Sequence, residues 1–170
     1  APLKQRERVA EVVGYQTFES GDLALLDLSD LTEPTPPLNI ATETPSTGDP
    51  ITAIGFPGNV FDMVDATTLH ASNNKGSVSS KQTRNGTPFI GIDAAVSGGM
   101  SGGPTVRETE HGEFEVIGVN SFGNVDSESA NFVTDTEKLV SFLKTHNVEL
   151  SLAAVPEPSW TEAAWLKWAG

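Results

Sequence analysis

Residues 98–104 read Gly-Gly-Met-Ser-Gly-Gly-Pro, and this stretch says more about the fold than any other part of the chain. Glycine tolerates positive φ angles and the close approach of another backbone, so two glycine pairs suit a tight turn whose N–H groups point into one small space. The hydroxyl of Ser101 at the tip of that turn would lie beside those donors, as a nucleophile lies beside an oxyanion hole. Taken alone, the stretch is equally compatible with a glycine-rich hairpin loop that carries an exposed serine.

Apolar segments flank this loop on both sides. Residues 89–96 (FIGIDAAV) read as a strand that enters the loop, and residues 114–123 (FEVIGVNSFG) read as a later strand that ends in glycine. Together with the loop they resemble the trypsin-like serine protease family, and in particular its bacterial, HtrA-like branch. In that branch Asp-Ala-Ala precedes Gly-x-Ser-Gly-Gly-Pro, and a later strand has the form Gly-x-Val-Ile-Gly-(Ile/Val)-Asn. The resemblance covers residues 18–145, most of the chain.

The resemblance implies an all-β fold, a trypsin-like double β-barrel followed by a C-terminal helix. A chain of 170 residues has room for a complete second barrel and only part of the first. We expect residues 1–37 to hold the last part of the first barrel and the inter-barrel linker, and residues 38–134 to form the second barrel with the nucleophile loop. Residues 135–150 are expected to form the C-terminal helix, and residues 151–170 a linker-like extension. Half a barrel exposes unpaired strand edges, so we expect the sequence to be a fragment that another segment or chain completes.

Short strands dominate the pattern along the chain. The three prolines in residues 32–37 break regular structure. The residues at 84–87 signal a hairpin turn, and residues 135–146 carry apolar side chains at helical spacing. Besides the segments already described, the strands are expected at residues 10–18, 22–26, 38–41, 51–58, 75–80 and 131–134, with an unassigned hairpin or loop over 62–74.

The same resemblance assigns catalytic roles. Ser101 corresponds to the nucleophile, and the N–H groups of Gly99 and Ser101 correspond to the oxyanion hole. The segment Gly-Asp-Leu-Ala-Leu-Leu at 21–26 is similar to the family segment that carries the triad aspartate, which makes Asp22 the residue that orients a histidine. An aspartate at the start of a strand is common in any turn, so the spacing alone does not assign this role. The implied reaction is peptide-bond hydrolysis through an acyl-enzyme, with no cofactor and no metal.

The third member of the triad is missing. The family places its histidine before the aspartate, whereas residues 1–21 contain none. His70 lies in a polar, loop-like stretch, His111 lies in a predicted hairpin turn, and His146 ends the predicted helix, where a cation suits the helix dipole. We therefore expect the general base to come from an upstream segment or another chain. Without it the chain should be nearly inactive, because loss of the serine or histidine costs subtilisin about a millionfold in kcat.

The predicted specificity pocket is small and apolar. The resemblance places its wall at Ser121, Phe122 and Gly123, whose backbone could pair with an extended substrate. Ala95 occupies the position where proteases specific for Lys or Arg carry an acid, and residues 130–132 lie on the far side. Burying a cationic side chain there without a partner would cost several kcal/mol, so an uncharged substrate side chain is expected. In the alternative interpretation these alanines only pack the barrel and a loop fills the pocket.

Met100 stands where members that are activated by cleavage carry an aspartate, which captures the new N-terminal ammonium group. Because methionine cannot pair with an ammonium group, we expect no activation by N-terminal insertion.

Composition limits the partners. The sequence contains 10 Lys and Arg residues and 23 Asp and Glu residues, for a formal net charge of −13. This charge disfavours binding to nucleic acids and to anionic membrane surfaces. The partners expected are a protein or peptide substrate and the segment that supplies the histidine. The absence of cysteine excludes disulfides and thiol chemistry, as in bacterial branches of the family. The resemblance implies an extracellular or cell-envelope location, either secreted or periplasmic.

The last residues leave two interpretations open. Residues 155–160 read as a linker, and residues 161–168 contain two tryptophans. This segment is either a short helix packed on the barrel or the start of a membrane tether, because tryptophan favours membrane interfaces.

Two other function classes compete with the protease. One is a protease-like binding module that has lost its histidine and is catalytically inactive. The other is an ordinary acidic all-β interaction domain with a glycine-rich loop.

Overall fold

A computed structural model of the chain describes residues 9–28, 37–60, 63–64, 70–124 and 127–150. These residues form nine β-strands, one short 3-10 helix and one α-helix in the order β1 (Glu11–Gln16), β2 (Leu23–Asp27), β3 (Asn39–Ile40), β4 (Pro50–Gly55), 3-10 helix (Gly58–Val60), β5 (Ser72–Arg84), β6 (Thr87–Ile92), β7 (Pro104–Glu108), β8 (Phe114–Asn124), β9 (Ser127–Thr134) and α1 (Thr136–Thr145).

Six strands close into a ring, which matches the predicted second barrel in outline without forming a perfect barrel. The strand order in the larger sheet is β3-β8-β7-β4-β5-β6-β9, and an additional β8–β9 pairing closes the six strands from β8 to β9 into the ring. All neighbours in the ring are antiparallel, whereas the short strand β3 lies outside it, parallel to β8. Closure pairs the strands that would otherwise form the edges of the sheet.

Two apolar clusters fill the two faces of this ring. On β4, Ile51 and Ala53 point into the interior, whereas Ile54 belongs to a second cluster on the outside. This alternation follows from the two-residue period of a β-strand. The second cluster joins the barrel to α1 through Leu139 and Phe142, both buried. Helix and barrel therefore share one apolar contact.

Turn and cap residues end several strands and the helix near the positions that the sequence predicted. Asn85 and Gly86 both have positive φ, at 50° and 83°, as a two-residue hairpin between β5 and β6 requires. The carboxylate of Asp135 accepts hydrogen bonds from the N–H groups of Glu137 and Lys138 at 3.0 and 3.3 Å and so caps α1. His146 is the C-cap, where its own N–H donates back into the last turn.

Strands β1 and β2 form a separate two-stranded antiparallel sheet, in the segment that the sequence analysis expects to belong to the first barrel. Large apolar side chains on this sheet face solvent: Val12 is 57% exposed, Tyr15 71% and Leu26 52%. A fold that buries its apolar surface does not normally leave such a cluster uncovered.

The structure corrects several predicted boundaries. Strand β6 ends at Ile92, so residues 93–96 belong to the loop and not to the strand. Strand β5 begins at Ser72, inside the stretch that the sequence left unassigned, and β7 was not predicted at all. The predicted linker lies outside the described residues except for Pro37, and so does the whole extension at 151–170. In the described ranges, no helix is long and apolar enough to cross a membrane.

Candidate active site

The loop that carries Ser101, residues 97–103 and here called the nucleophile loop, is a double turn held by its own backbone. The N–H of Met100 donates to the carbonyl of Ser97, and the N–H of Gly103 donates to the carbonyl of Met100, each at 3.1 Å. Gly99 and Gly102 have φ angles of 96° and 88°, a region that side chains other than glycine rarely adopt. The glycine pairs thus serve the tight turn that the sequence predicted.

This loop packs directly on the end of β4. The N–H of Gly58 donates to the carbonyl of Gly98 at 2.7 Å. A Cβ added to Gly99 would lie 2.5 Å from the nitrogen of Gly58, and one added to Gly55 would lie 2.9 Å from the Cα of Met100. Side chains at these positions would separate the two segments. The Met100 side chain is fully buried in this contact.

Four N–H groups in the nucleophile loop, those of Ser97, Gly98, Gly99 and Ser101, are left over within the described residues after the loop has closed. Those of Met100, Gly102 and Gly103 donate to carbonyl oxygens. The N–H groups of Gly99 and Ser101 donate to no acceptor in the part of the chain that the structure describes. They are the pair that the sequence assigned to the oxyanion hole, and that role stays a prediction.

Ser121 contacts both candidate catalytic side chains. The exposed Ser101 hydroxyl donates to the Ser121 carbonyl oxygen at 3.1 Å. The Ser121 hydroxyl donates to Oδ2 of Asp22 at 2.5 Å. A single residue of β8 therefore brings Asp22 and Ser101 to one small region, although they are far apart in sequence.

A tight turn presents Asp22. The N–H groups of Gly21 and Asp22 both donate to the carbonyl of Thr17 at 3.0 Å. Asp22 itself has a φ of 54°, a left-handed conformation that aspartate tolerates better than most residues. The Thr134 hydroxyl at the end of β9 donates to the Gly21 carbonyl at 3.3 Å, and Leu23 is buried. The turn is thereby attached to the ring.

Among the described residues, the three histidines are not bonded to the candidate catalytic side chains. His70 and His111 are exposed, the latter in the turn between β7 and β8. Nδ1 of His146 is 2.9 Å from the carbonyl oxygen of Phe142, and its ring packs on the Phe142 ring with centroids 4.5 Å apart. Within the described ranges, none of them forms a hydrogen bond with Asp22 or Ser101.

The predicted specificity wall lies next to the nucleophile loop. Ala95 is exposed in the segment that enters the loop, and its carbonyl accepts a 2.7 Å hydrogen bond from the Asn74 side chain. The backbone of Phe122 and Gly123 pairs with Phe132 and Asn131 of β9. The side chains of Phe122 and Ala130 lie outside what the structure describes, so the shape of the pocket stays a prediction.

Asp93 anchors the segment that enters the loop, a role that the sequence did not indicate. Its carboxylate accepts the N–H of Ser77 at 2.5 Å and the Ser77 hydroxyl at 2.7 Å. The Asp93 N–H donates in turn to the Ser77 carbonyl at 3.1 Å. The two hydrogen bonds from Ser77 lower the pKa of Asp93 because they stabilise its charged form.

Asn120 is the second residue that the sequence analysis missed. It is 2% exposed on β8, directly before Ser121. Its side-chain nitrogen donates to the carbonyl oxygens of Ile54 at 3.0 Å and Met100 at 3.2 Å. Its Oδ1 accepts the hydroxyl of Thr105 at 2.6 Å. An asparagine inside an otherwise apolar strand was the available signal.

A cavity of about 210 Å³ lies away from this region, against strands β4, β5, β7 and β8. Its lining includes Thr52, Lys75, Val106, Glu108 and Phe114 and no residue of the nucleophile loop. In the described part of the chain, no group of three or more His, Cys, Asp or Glu side chains is arranged to hold a metal ion.

The chain is similar to a known protein family in sequence and to several solved structures in fold. A family model described as a trypsin-like peptidase domain matches residues 2–119, well over half of the chain. No curated protein sequence matches the chain.

Among solved structures, the Rv3671c protease from M. tuberculosis in its active form superposes with a TM-score of 0.65 at 23% identity, over 93% of this chain and 65% of that one. At that identity the likeness concerns the fold alone. The HtrA-type protease AlgW with a decapeptide gives a TM-score of 0.62 at 26% identity, over 84% of this chain and 42% of that one. A serine endoprotease from Yersinia pestis gives 0.59 at 26% identity, over 82% and 44%. The chain spans less than half of each of these last two proteins.

Proposed function

The chain belongs to the trypsin-like peptidase domain family, and from that membership we propose that it is the second-barrel part of a serine endopeptidase that acts through an acyl-enzyme. The observation that carries this proposal is the position of Ser121, whose carbonyl accepts the Ser101 hydroxyl and whose hydroxyl donates to Asp22. Two side chains of the types that a triad requires thus meet at one residue beside a glycine-rich turn.

In the proposed reaction Ser101 attacks the peptide carbonyl. A histidine from outside this sequence takes the hydroxyl proton and passes it to the leaving amine, while Asp22 orients that histidine and stabilises its charged form. The unused N–H groups of Gly99 and Ser101 support their assignment to the developing oxyanion. Water then hydrolyses the acyl-enzyme, and the Ser101 hydroxyl is restored.

The exposed apolar side chains of β1 and β2 support a complementing segment. Val12, Tyr15 and Leu26 are each more than half exposed on a sheet of only two strands. Further strands of a first barrel would cover these side chains and pair the free edges. The segment that supplies those strands is the proposed source of the histidine.

The substrate is proposed to be a protein or peptide chain that binds beside Ser121 and Gly123 by strand addition. One structural neighbour, AlgW, has been solved with a decapeptide and with a tripeptide, which fits such a binding mode. Ala95 at the pocket base favours an uncharged side chain before the scissile bond. By analogy with the family we propose an extracellular or cell-envelope location. We also propose that α1 is the terminal helix, which is shorter than the expected span of 135–150, and that residues 151–170 are an extension.

A catalytically inactive binding module is the second candidate. The observation in its favour is that none of the three histidines forms a hydrogen bond with Asp22 or Ser101 within the described residues. In that case Ser121 and the loop would still bind an extended peptide without cutting it.

Peptide hydrolysis by the full-length protein tests the proposal. We expect the wild type to cleave an unfolded protein substrate and the Ser101→Ala and Asp22→Asn variants to lose that activity. Ser141→Ala, which removes an exposed serine hydroxyl on α1, is the matched control and should keep it. A wild type that binds peptides but cuts none of them would contradict the protease and favour the binding module.

A further inference from the structure

Asn120 holds both peptide groups that flank Ser101. On one side its side-chain nitrogen donates to the Met100 carbonyl at 3.2 Å, and on the other its backbone carbonyl accepts the Gly102 N–H at 2.9 Å. Its own N–H donates to the Gly103 carbonyl at 2.8 Å. One buried residue therefore sets the backbone of the nucleophile loop on either side of Ser101.

The contacts of Asn120 also fix the orientation of its amide. Both acceptors near Nδ2 are carbonyl oxygens, of Ile54 and Met100, so the NH₂ group must face them and Oδ1 must face the Thr105 hydroxyl. Both N–H donors are used, and the side chain is 2% exposed. An aspartate side chain has no donors for these carbonyls, and a leucine side chain has no polar group. Asparagine fits the site because its amide donates to both carbonyls and accepts the Thr105 hydroxyl.

The direction of the Ser101 N–H follows from this arrangement. In a trans peptide the carbonyl and the N–H point in opposite directions. Because the Asn120 side chain, together with the Gly103 N–H, holds the Met100 carbonyl on the side of β8, the N–H of Ser101 in the same peptide group points away from β8. That N–H makes no hydrogen bond within the described residues.

We propose that Asn120 is a positioning residue, which orients the Met100–Ser101 peptide group so that the Ser101 N–H faces the oxyanion and the Ser101 side chain faces the substrate. This inference rests on the proposed function. Asn120 touches no reacting atom and acts through the backbone of Met100, Gly102 and Gly103. The same side chain ties the nucleophile loop to β4 through the Ile54 carbonyl.

A purely structural role would have a different signature. A buried hydrogen bond lost anywhere in the barrel lowers the free energy of unfolding but leaves the turnover of the folded fraction unchanged. The Thr136 hydroxyl, fully buried and 2.5 Å from the Ile117 carbonyl, offers this comparison because it is also a side chain bonded to backbone and lies outside the nucleophile loop. Thr136→Val is therefore the matched control for Asn120→Leu.

The experiment measures kcat and KM for peptide cleavage by full-length wild type, Asn120→Leu and Thr136→Val. Displacing catalytic groups by about 1 Å can cost about 10²-fold, so we expect kcat of Asn120→Leu to fall by about that factor with KM unchanged. Thr136→Val should lose stability and keep the wild-type kcat. Equal kcat values for Asn120→Leu and wild type would overturn the proposal.

Amide hydrogen exchange separates failure of this proposal from failure of the proposed function, because it needs no activity. We expect the Gly102 and Gly103 amides to exchange at least about tenfold faster, relative to the barrel strands, in Asn120→Leu than in Thr136→Val. If Asn120→Leu does not fold, Asn120→Ser is used in its place. The serine side chain is too short for its hydroxyl to reach the carbonyls of both Ile54 and Met100. Unchanged exchange at Gly102 in the folded variant would contradict the positioning role even if the wild type proved inactive.

Discussion

The hydroxyl of Ser121 and the carboxylate of Asp22 are 2.5 Å apart, although 99 positions separate them in the sequence. The bond joins the turn before β2 to strand β8 and so connects the two-stranded sheet to the closed ring. It holds one oxygen of Asp22 beside the residue whose carbonyl also receives the Ser101 hydroxyl. Any histidine that bridges Asp22 and Ser101 must therefore enter next to Ser121.

Ser121→Ala tests the contribution of this bond. We expect a loss of about 1 kcal/mol in the free energy of unfolding, the usual value for one hydrogen bond. We also expect a fall in kcat that is smaller than the roughly 10⁴-fold loss known for the triad aspartate-to-asparagine change. Denaturant unfolding and steady-state kinetics of the full-length protein measure both. If Ser121→Ala were as inactive as Asp22→Asn, Ser121 would have to do more than hold the carboxylate.

Asp93 gives a pH-dependent prediction. Hydrogen bonds from Ser77 lower the pKa of its carboxyl below the ordinary value of 3.8. A depressed pKa in the folded state contributes stability at pH values above the pKa of the unfolded state, and that stability is lost as pH falls through the folded pKa. The difference in Tm between wild type and Asp93→Asn should therefore be largest near neutral pH and shrink below about pH 4. A difference that grows on acidification would refute this account.

Two glycines of the same loop offer a matched pair. A Cβ on Gly103 would lie 2.1 Å from the Ile54 carbonyl oxygen, whereas one on Gly98 would have nothing within 4 Å. We expect Gly103→Ala to destabilise the protein by about 1–3 kcal/mol, the range for overpacking, and Gly98→Ala to change stability far less. Thermal unfolding measures the Tm of both variants, and we expect a lower Tm for Gly103→Ala. Similar Tm values would show that the loop does not pack on β4 as described.

Substrate preference provides a further test. Under the proposed assignment of Ala95 to the base of the pocket, the full-length protein should cleave a peptide library after uncharged, mainly aliphatic residues. Introducing a carboxylate through Ala95→Asp should raise cleavage after Lys and Arg, because a buried cation needs a partner. Dominant cleavage after Lys or Arg by the wild type would rule this pocket out.

The identity of residue 100 leads to a prediction about activation by proteolytic cleavage. Its side chain is fully buried and carries no charge. Cleavage upstream of the domain should therefore not raise activity through an ammonium group that docks beside Met100. The measurement compares kcat of the full-length protein with that of a form cut upstream, with the new N-terminus either free or acetylated. Higher activity only with the free amine would contradict the prediction.

Local chemistry explains which parts of the fold were predictable. The Asn85-Gly86 turn and the Asp135 cap depend on residues adjacent in sequence, so both were recognisable. Strand β7 was missed because it is only five residues long and begins with Pro104, a residue that argues against a strand. The end of β6 was misplaced because Asp93 and the apolar residues after it continue the strand pattern.

The residues of the candidate site also differ in how far their roles could be predicted from the sequence. The resemblance to a known family assigned roles to Ser101 and Asp22. Asp93 and Asn120 also lie in segments similar to that family, but no role was predicted for them, because their roles come from contacts with Ser77 on β5 and with Ile54 on β4. Such pairings are set by how the ring closes, which no local pattern encodes.

Covalent labelling of the full-length protein with a fluorophosphonate tests the central claim most directly, because only an activated serine reacts. We expect mass spectrometry to find a single adduct on the peptide that contains Ser101, no adduct in the Ser101→Ala and Asp22→Asn variants, and an unaffected adduct in Ser141→Ala. A full-length protein that stays unlabelled, or that is labelled at a serine other than Ser101, would contradict the assignment of Ser101 as the nucleophile.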